Sequence, residues 1–144
     1  MIRRATPEDL PALLELGAEY AAADHHEFDP ERAASGFAGL LGDDTHGVVW
    51  ITDDRDAYAV VTWGWSVESG GKEAILDEIY VRRQGRGIGS QLIEHLHADC
   101  DRRGVRRIFL ETEPHNAAAR RLYERHGYVT EPSIWMARVA PGDR

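Results

Sequence analysis

Cysteine occurs once in the 144 residues, at Cys100, so an internal disulfide framework is excluded. Its place in a helical pattern reads as a small buried apolar side chain. Lysine is as scarce, with Lys72 alone. Positive charge is in deficit: 17 Lys and Arg face 25 Asp and Glu, a formal charge of −8 with histidine neutral. A protein that grips nucleic-acid backbone needs a basic face, so nucleic acid is not an expected partner. No apolar run approaches the ~18 residues of a membrane helix, and Met1-Ile2-Arg3-Arg4 leads into Thr6-Pro7-Glu8 without an apolar leader. The chain reads as soluble and cytoplasmic, with no membrane partner. The seven histidines lack ligand spacing: His25 and His26 are adjacent, His46 is distant, and His95 and His97 lie two apart on a helix. No metal site is expected.

Against this background stands Asp77-Glu78-Ile79-Tyr80-Val81-Arg82-Arg83-Gln84-Gly85-Arg86-Gly87-Ile88-Gly89-Ser90, an apolar strand entering a glycine turn that opens an amphipathic helix. Glycines allow a tight turn and close backbone approach, and the first N–H groups of a helix, with its positive dipole end, favour an anion. Arg82, Arg83 and Arg86 add positive charge beside the amides. The dinucleotide pattern G-x-G-x-x-G fails, because Ser90 stands where its third glycine belongs. The P-loop pattern fails as well, since no lysine follows the glycines. What remains is Q-x-x-G-x-G, carried by Gln84, Gly87 and Gly89.

Further on, Asn116, Ala119, Tyr123, Gly127 and Tyr128 fall at the spacing N-x-x-A-x-x-x-Y-x-x-x-G-[FY]. Together, in this order, the two motifs resemble the acyl-CoA loop and the following helix of the GNAT superfamily of N-acetyltransferases. The likeness is close from Leu76 to Tyr128. In one respect the chain departs from the family pattern: only Arg82 and Arg83 separate Val81 from Gln84, about two residues fewer than usual.

The resemblance implies acetyl-CoA as cosubstrate, with its pantetheine arm along the backbone of Ile79, Tyr80 and Val81. It implies a pyrophosphate on Gln84, Gly85, Arg86, Gly87, Ile88, Gly89 and Ser90. Asn116 then caps its helix or meets the pantetheine, and Tyr123 becomes the proton donor to the departing thiolate. A phenol with pKa near ~10 is protonated at neutral pH and suits that role. An amine of similar pKa must lose a proton before it attacks, so a base is useful. Asp77 and Glu78 are both candidates. Successive strand side chains point to opposite faces, so one of the two should reach the cleft, and a bulge would reverse which one. The acceptor is an amine on a small molecule or peptide, a homodimer is compatible with the family, and a non-catalytic acyl-CoA-binding module is the rival reading.

Elsewhere the pattern gives one α/β domain over residues 1–140 and a tail over 141–144, with a mixed, mostly antiparallel sheet flanked by helices. Strands are expected at 2–5, 48–52, 58–67, 74–81, 105–112 and 133–139. Helices are expected from Thr6-Pro7-Glu8-Asp9 to residue 22, from Asp29-Pro30 to residue 41, and over 87–103 and 116–126. The turn Asp53-Asp54-Arg55-Asp56 should close a hairpin. The polar loop Asp24-His25-His26-Glu27-Phe28 corresponds to the acceptor side of the cleft in the family.

Overall fold

A computed structural model describes residues 1–143. Five strands form one sheet in the order β1 (Ile2–Arg4), β2 (Gly47–Thr52), β3 (Ala57–Ser66), β4 (Gly71–Val81) and β5 (Arg107–Leu110). The first three pairings are antiparallel and β4–β5 is parallel. Four helices cover the sheet: α1 (Leu10–Ala23), α2 (Pro30–Leu41), α3 (Ile88–Arg102) and α4 (Ala117–Arg125). This is the expected mixed, mostly antiparallel α/β arrangement. No helix among the described residues is long and apolar enough to cross a membrane.

Strand alternation splits the core in two. On one face Val48, Trp50, Ala59, Val61 and Leu76 pack with Leu92, Leu96 and Cys100 of α3. On the other, Val49, Ile51, Tyr58 and Val60 pack with Leu13 and Leu16 of α1 and Phe37 and Leu41 of α2. Cys100 is the buried residue its pattern suggested, and burial pushes its thiol up to about 11.

Local signals act much as read. Asp29 accepts hydrogen bonds from the amides of Glu31 and Arg32, with Pro30 as the first helical residue of α2. At the first start signal Pro7–Asp9 forms a 3-10 turn before α1 begins. The reason is Asp9, which turns inward, fully buried, to accept from Thr6 N, Arg3 and Arg55.

One expectation fails near the C-terminus. Residues 133–139 form no strand, and residues 129–140 are exposed throughout. Apolar composition suits a strand, but a strand exists only through ladder bonds to a neighbour, and this segment pairs with none. After it, Pro141–Asp143 makes a 3-10 turn, and Asp143 lies 3.7 Å from Arg32 of α2.

Candidate active site

The site is built by a fork in the sheet. The parallel ladder of β4 and β5 ends at Leu76 and Leu110, while β4 continues to Val81 paired only with β3. The edge of β4 from Asp77 to Val81 is therefore free on the β5 side, with backbone N–H and C=O groups available to an extended ligand. Beyond it opens a cleft of about 1680 Å³, walled by the α1–α2 loop, the glycine turn and α4.

At the root of the fork β4 carries a bulge. Val60 of β3 faces Glu78 and Val61 faces Leu76, so Asp77 is the extra residue. Parity reverses there: Leu76 and Ile79 pack on the α3 side, while Tyr80 packs with the α1–α2 core. Both Asp77 and Glu78 line the cleft, which corrects the expectation that alternation would admit one. The bulge puts two consecutive residues where a regular strand would put one.

The two carboxylates sit differently. Glu78 accepts a 2.6 Å hydrogen bond from the hydroxyl of the fully buried Tyr58. Burial raises the Glu78 pKa, the Tyr58 hydrogen bond opposes the shift, and the Asp77 charge adds to it. Asp77 accepts no hydrogen bond and meets no cation among the described residues, and burial alone raises its pKa, although water reaches it from the cleft. Both are carboxylates held nearer neutrality than usual.

Downstream, the chain turns through Gly85 and Gly87, with φ of 83° and 74°, into α3. Left-handed backbone of this kind favours glycine. The amides of Ile88, Gly89 and Ser90 have no backbone acceptor among the described residues, and all three residues line the cleft. A Cβ on Gly89 would stand 3.3 Å from Leu122 of α4, so α4 crosses close over the turn. His126 Nε2 lies 3.0 Å from Ser90 Oγ, a second tie between α4 and the turn.

Two arginines are not where their sequence position suggested. Arg82 donates to Glu19 at 3.0 and 2.5 Å, to Asp56 at 2.9 Å and to Glu15 at 3.3 Å. Arg83 pairs with Asp56 at 2.9 Å. These acids come from α1 and the β2–β3 turn, distant in sequence, and they take the charge first. The Arg86 side chain lies in a small depression with Asp54 and Asp56, outside the cleft, so its amide is its available contribution. What the turn presents to the cleft is therefore backbone.

Of the remaining sequence candidates, Ile79, Tyr80, Val81, Gln84, Gly85, Gly87, Ile88, Gly89, Ser90, Asn116 and Tyr123 all line the cleft. The Tyr80 hydroxyl is engaged with Glu19 at 3.2 Å, leaving its backbone at the free edge. Asn116 Oδ1 accepts from Ala119 N at 3.1 Å, so the cap is real and its side-chain NH₂ remains a donor. Tyr123 is half-buried on α4, and burial, followed by the charge of Asp24, raises its pKa.

Other lining residues were not singled out by sequence. Tyr20 of α1 is pushed up to about 12, first by burial and then by Asp24, Glu78, Tyr123 and Asp77, which locates it among them. Asp24 and Glu111 also line the cleft. Glu111 had a readable signal, since it directly follows the last residue of β5, where the fork opens. Tyr20 and Asp24 had none beyond membership of α1 and the loop that follows it.

A free strand edge, a glycine turn with unbonded amides and a tyrosine thus share one cleft. The model described as the acetyltransferase (GNAT) family fits residues 8–128. This chain belongs to the GNAT family. GNAT relatives include the D-amino-acid N-acetyltransferase HPA3 of Saccharomyces cerevisiae, 23% identical over 94% of this chain and 88% of that protein. A second is the [ribosomal protein bS18]-alanine N-acetyltransferase of Salmonella typhimurium, 47% identical over 64% of this chain and 60% of that enzyme. Among solved structures, an integron cassette protein from the Cole Harbour salt marsh metagenome superposes with a TM-score of 0.85, covering 97% of this chain and 91% of its own at 27% identity. The GNAT fold therefore extends over nearly the whole chain, beyond the two motifs.

Proposed function

We propose that this protein transfers the acetyl group of acetyl-CoA to a primary amine of a small molecule or peptide, by direct attack in a ternary complex. The observation that carries the reading is continuity: the free edge of β4 leads through the glycine turn to the unbonded amides of α3, in a cleft also lined by Asp77 and Tyr123. An elongated thioester ligand with a pyrophosphate fits such a path. The backbone of Ile79 to Val81 would pair with its amide-bearing arm, and Gln84 with the amides of the turn would hold the phosphates. The cosubstrate supplies the activated acetyl group.

The protein's own contribution is positioning and proton transfer. Asp77, with no competing partner, accepts the proton that the ammonium form of the acceptor must lose, directly or through one water. Its raised pKa makes it a better base than an ordinary carboxylate. Glu78, held by Tyr58, keeps the acceptor cationic until it reaches Asp77. Tyr123 donates its phenolic proton to the thiolate sulfur as the C–S bond breaks, and its raised pKa keeps that proton in place at neutral pH. The α1–α2 loop forms the acceptor side.

The test is CoA release followed with a thiol reagent over a panel of amines, with acetyl-CoA binding measured by calorimetry for the native protein and Gly89→Val. Amine-dependent release, and binding lost in the folded Gly89→Val protein, are expected. Tight binding without release from any amine would favour the acyl-CoA-binding module, and binding unaffected by Gly89→Val would remove the pyrophosphate from the turn.

A further inference from the structure

The acceptor side of the cleft has an unbalanced charge. Four of its lining carboxylates, Asp24, Glu27, Asp77 and Glu111, have neither a hydrogen-bond donor nor a cation beside them among the described residues. Among the described residues, two arginines line the same cleft. Arg32 is engaged, 3.9 Å from Asp29 and 3.7 Å from Asp143, and Arg125 belongs to α4, which crosses the phosphate turn. Among the described residues the acceptor end therefore offers no free cation to a substrate carboxylate. An amino acid bound there would bring its own negative charge against several others in a partly desolvated space, where like charges are costly.

The carboxylates are also spread along the cleft. Asp77 stands at the fork between β4 and β5, and Asp24 lies at the end of α1, beyond Tyr20, whose phenol responds to both. Tyr20, within reach of both charges, and Phe28, which lies beside Gly17, give the same cleft an apolar wall. One carboxylate at the reacting end, an apolar stretch, and further carboxylates at the outer end match a molecule with cationic nitrogens joined by methylene groups.

Resting on the transferase reading above, we propose that the acceptor is an alkyl diamine or polyamine carrying no carboxylate. Its reacting nitrogen lies at Asp77, its methylene chain along Tyr20 and Phe28, and its second ammonium among Asp24 and Glu27. The reacting ammonium loses one proton to Asp77, the neutral amine forms the N–C bond to the acetyl carbon, the C–S bond breaks with the thiolate taking the proton of Tyr123, and the second proton leaving the nitrogen restores the Tyr123 phenol. The second ammonium stays charged throughout. The overall charge of −8 adds a general attraction for cations that raises their local concentration.

Three compounds of one chain length isolate the second group: 1,4-diaminobutane, butylamine and 4-aminobutanoate, which end in a positive, a neutral and a negative group. The expected kcat/KM for the diamine exceeds that of butylamine by about tenfold at low ionic strength, well beyond the statistical factor of about two for its two amines, and 4-aminobutanoate is the poorest. The ratio of diamine to butylamine should shrink with added salt. In Asp24→Asn/Glu27→Gln it should fall to about threefold or less, with acetyl-CoA affinity retained. Equal kcat/KM for the three amines, or a preference for 4-aminobutanoate, overturns the proposal. So does turnover of alanine or of an alanine-initiated peptide in preference to the diamine, and that result leaves the transferase reading standing. No CoA release with any of these amines overturns both.

Discussion

Replacing Tyr123 with Phe separates chemistry from packing because the hydroxyl oxygen of Tyr123 has no protein hydrogen-bond partner among the described residues. Removing it orphans no donor or acceptor, and the ring keeps its place 6.0 Å from Tyr128. The change in stability should stay within about 0.5 kcal/mol, as for other substitutions that break no buried interaction. The catalytic cost is larger. A positioned general acid is worth roughly 10²- to 10⁴-fold. A thiolate whose conjugate acid has a pKa near ~8.5 can leave without full protonation, so the loss belongs at the low end. A fall in kcat of about 10²-fold corresponds to ~2.7 kcal/mol of transition-state stabilisation. The assay is steady-state CoA release at saturating amine, with calorimetric acetyl-CoA affinity and thermal melting in parallel. Wild-type kcat, a KM for acetyl-CoA within about twofold of native and an unchanged melt would together remove Tyr123 from proton transfer. A Kd raised by the full factor with kcat unchanged would make the hydroxyl a binding element instead.

Asp77 gives a pH test. Burial raises its pKa, so the carboxylate that serves as base forms later on the pH scale than an ordinary aspartate; activity should rise with pH through that raised value, and Asp77→Asn should abolish the limb while Glu78→Gln retains it. A Glu78→Gln enzyme that loses the limb would transfer the role to Glu78. Asp9 gives a stability test away from the site. It is fully buried and accepts from Arg3 at 2.8 and 2.9 Å, Arg55 at 2.9 Å and Thr6 N at 2.8 Å, and the Arg3 hydrogen bond leads in holding its carboxyl well below the usual range. Breaking a buried pair costs ~3–5 kcal/mol, but both arginines are partly exposed, so Asp9→Asn should cost about 2 kcal/mol at pH 7. A depressed pKa contributes stability above the unfolded pKa near ~3.9 that fades as pH falls below it, so wild type and Asp9→Asn should converge in chemical denaturation at acid pH. A constant gap down to pH ~2 would contradict the assignment.

Local chemistry sufficed for much of this protein. Glycines at 85, 87 and 89 can be read because positive φ and close backbone approach restrict the residue type at the position itself, and Asn116 and Asp29 can be read because a cap lies within three residues of what it caps. Their spacing along the chain pointed to the GNAT family, the glycine cradle and Tyr123. Tertiary structure decided the rest through contacts between distant segments. The bulge at Asp77 depends on how β3 and β4 register, and it brings both carboxylates into one cleft. Arg82 is claimed by Glu19, Glu15 and Asp56, acids 26 to 67 residues away, so charge that looked available to a phosphate is neutralised on α1 and the β2–β3 turn. The 133–139 segment has the composition of a strand but no neighbour to bond. Composition and spacing describe what a residue can do, and pairing between remote segments determines which of those options is taken.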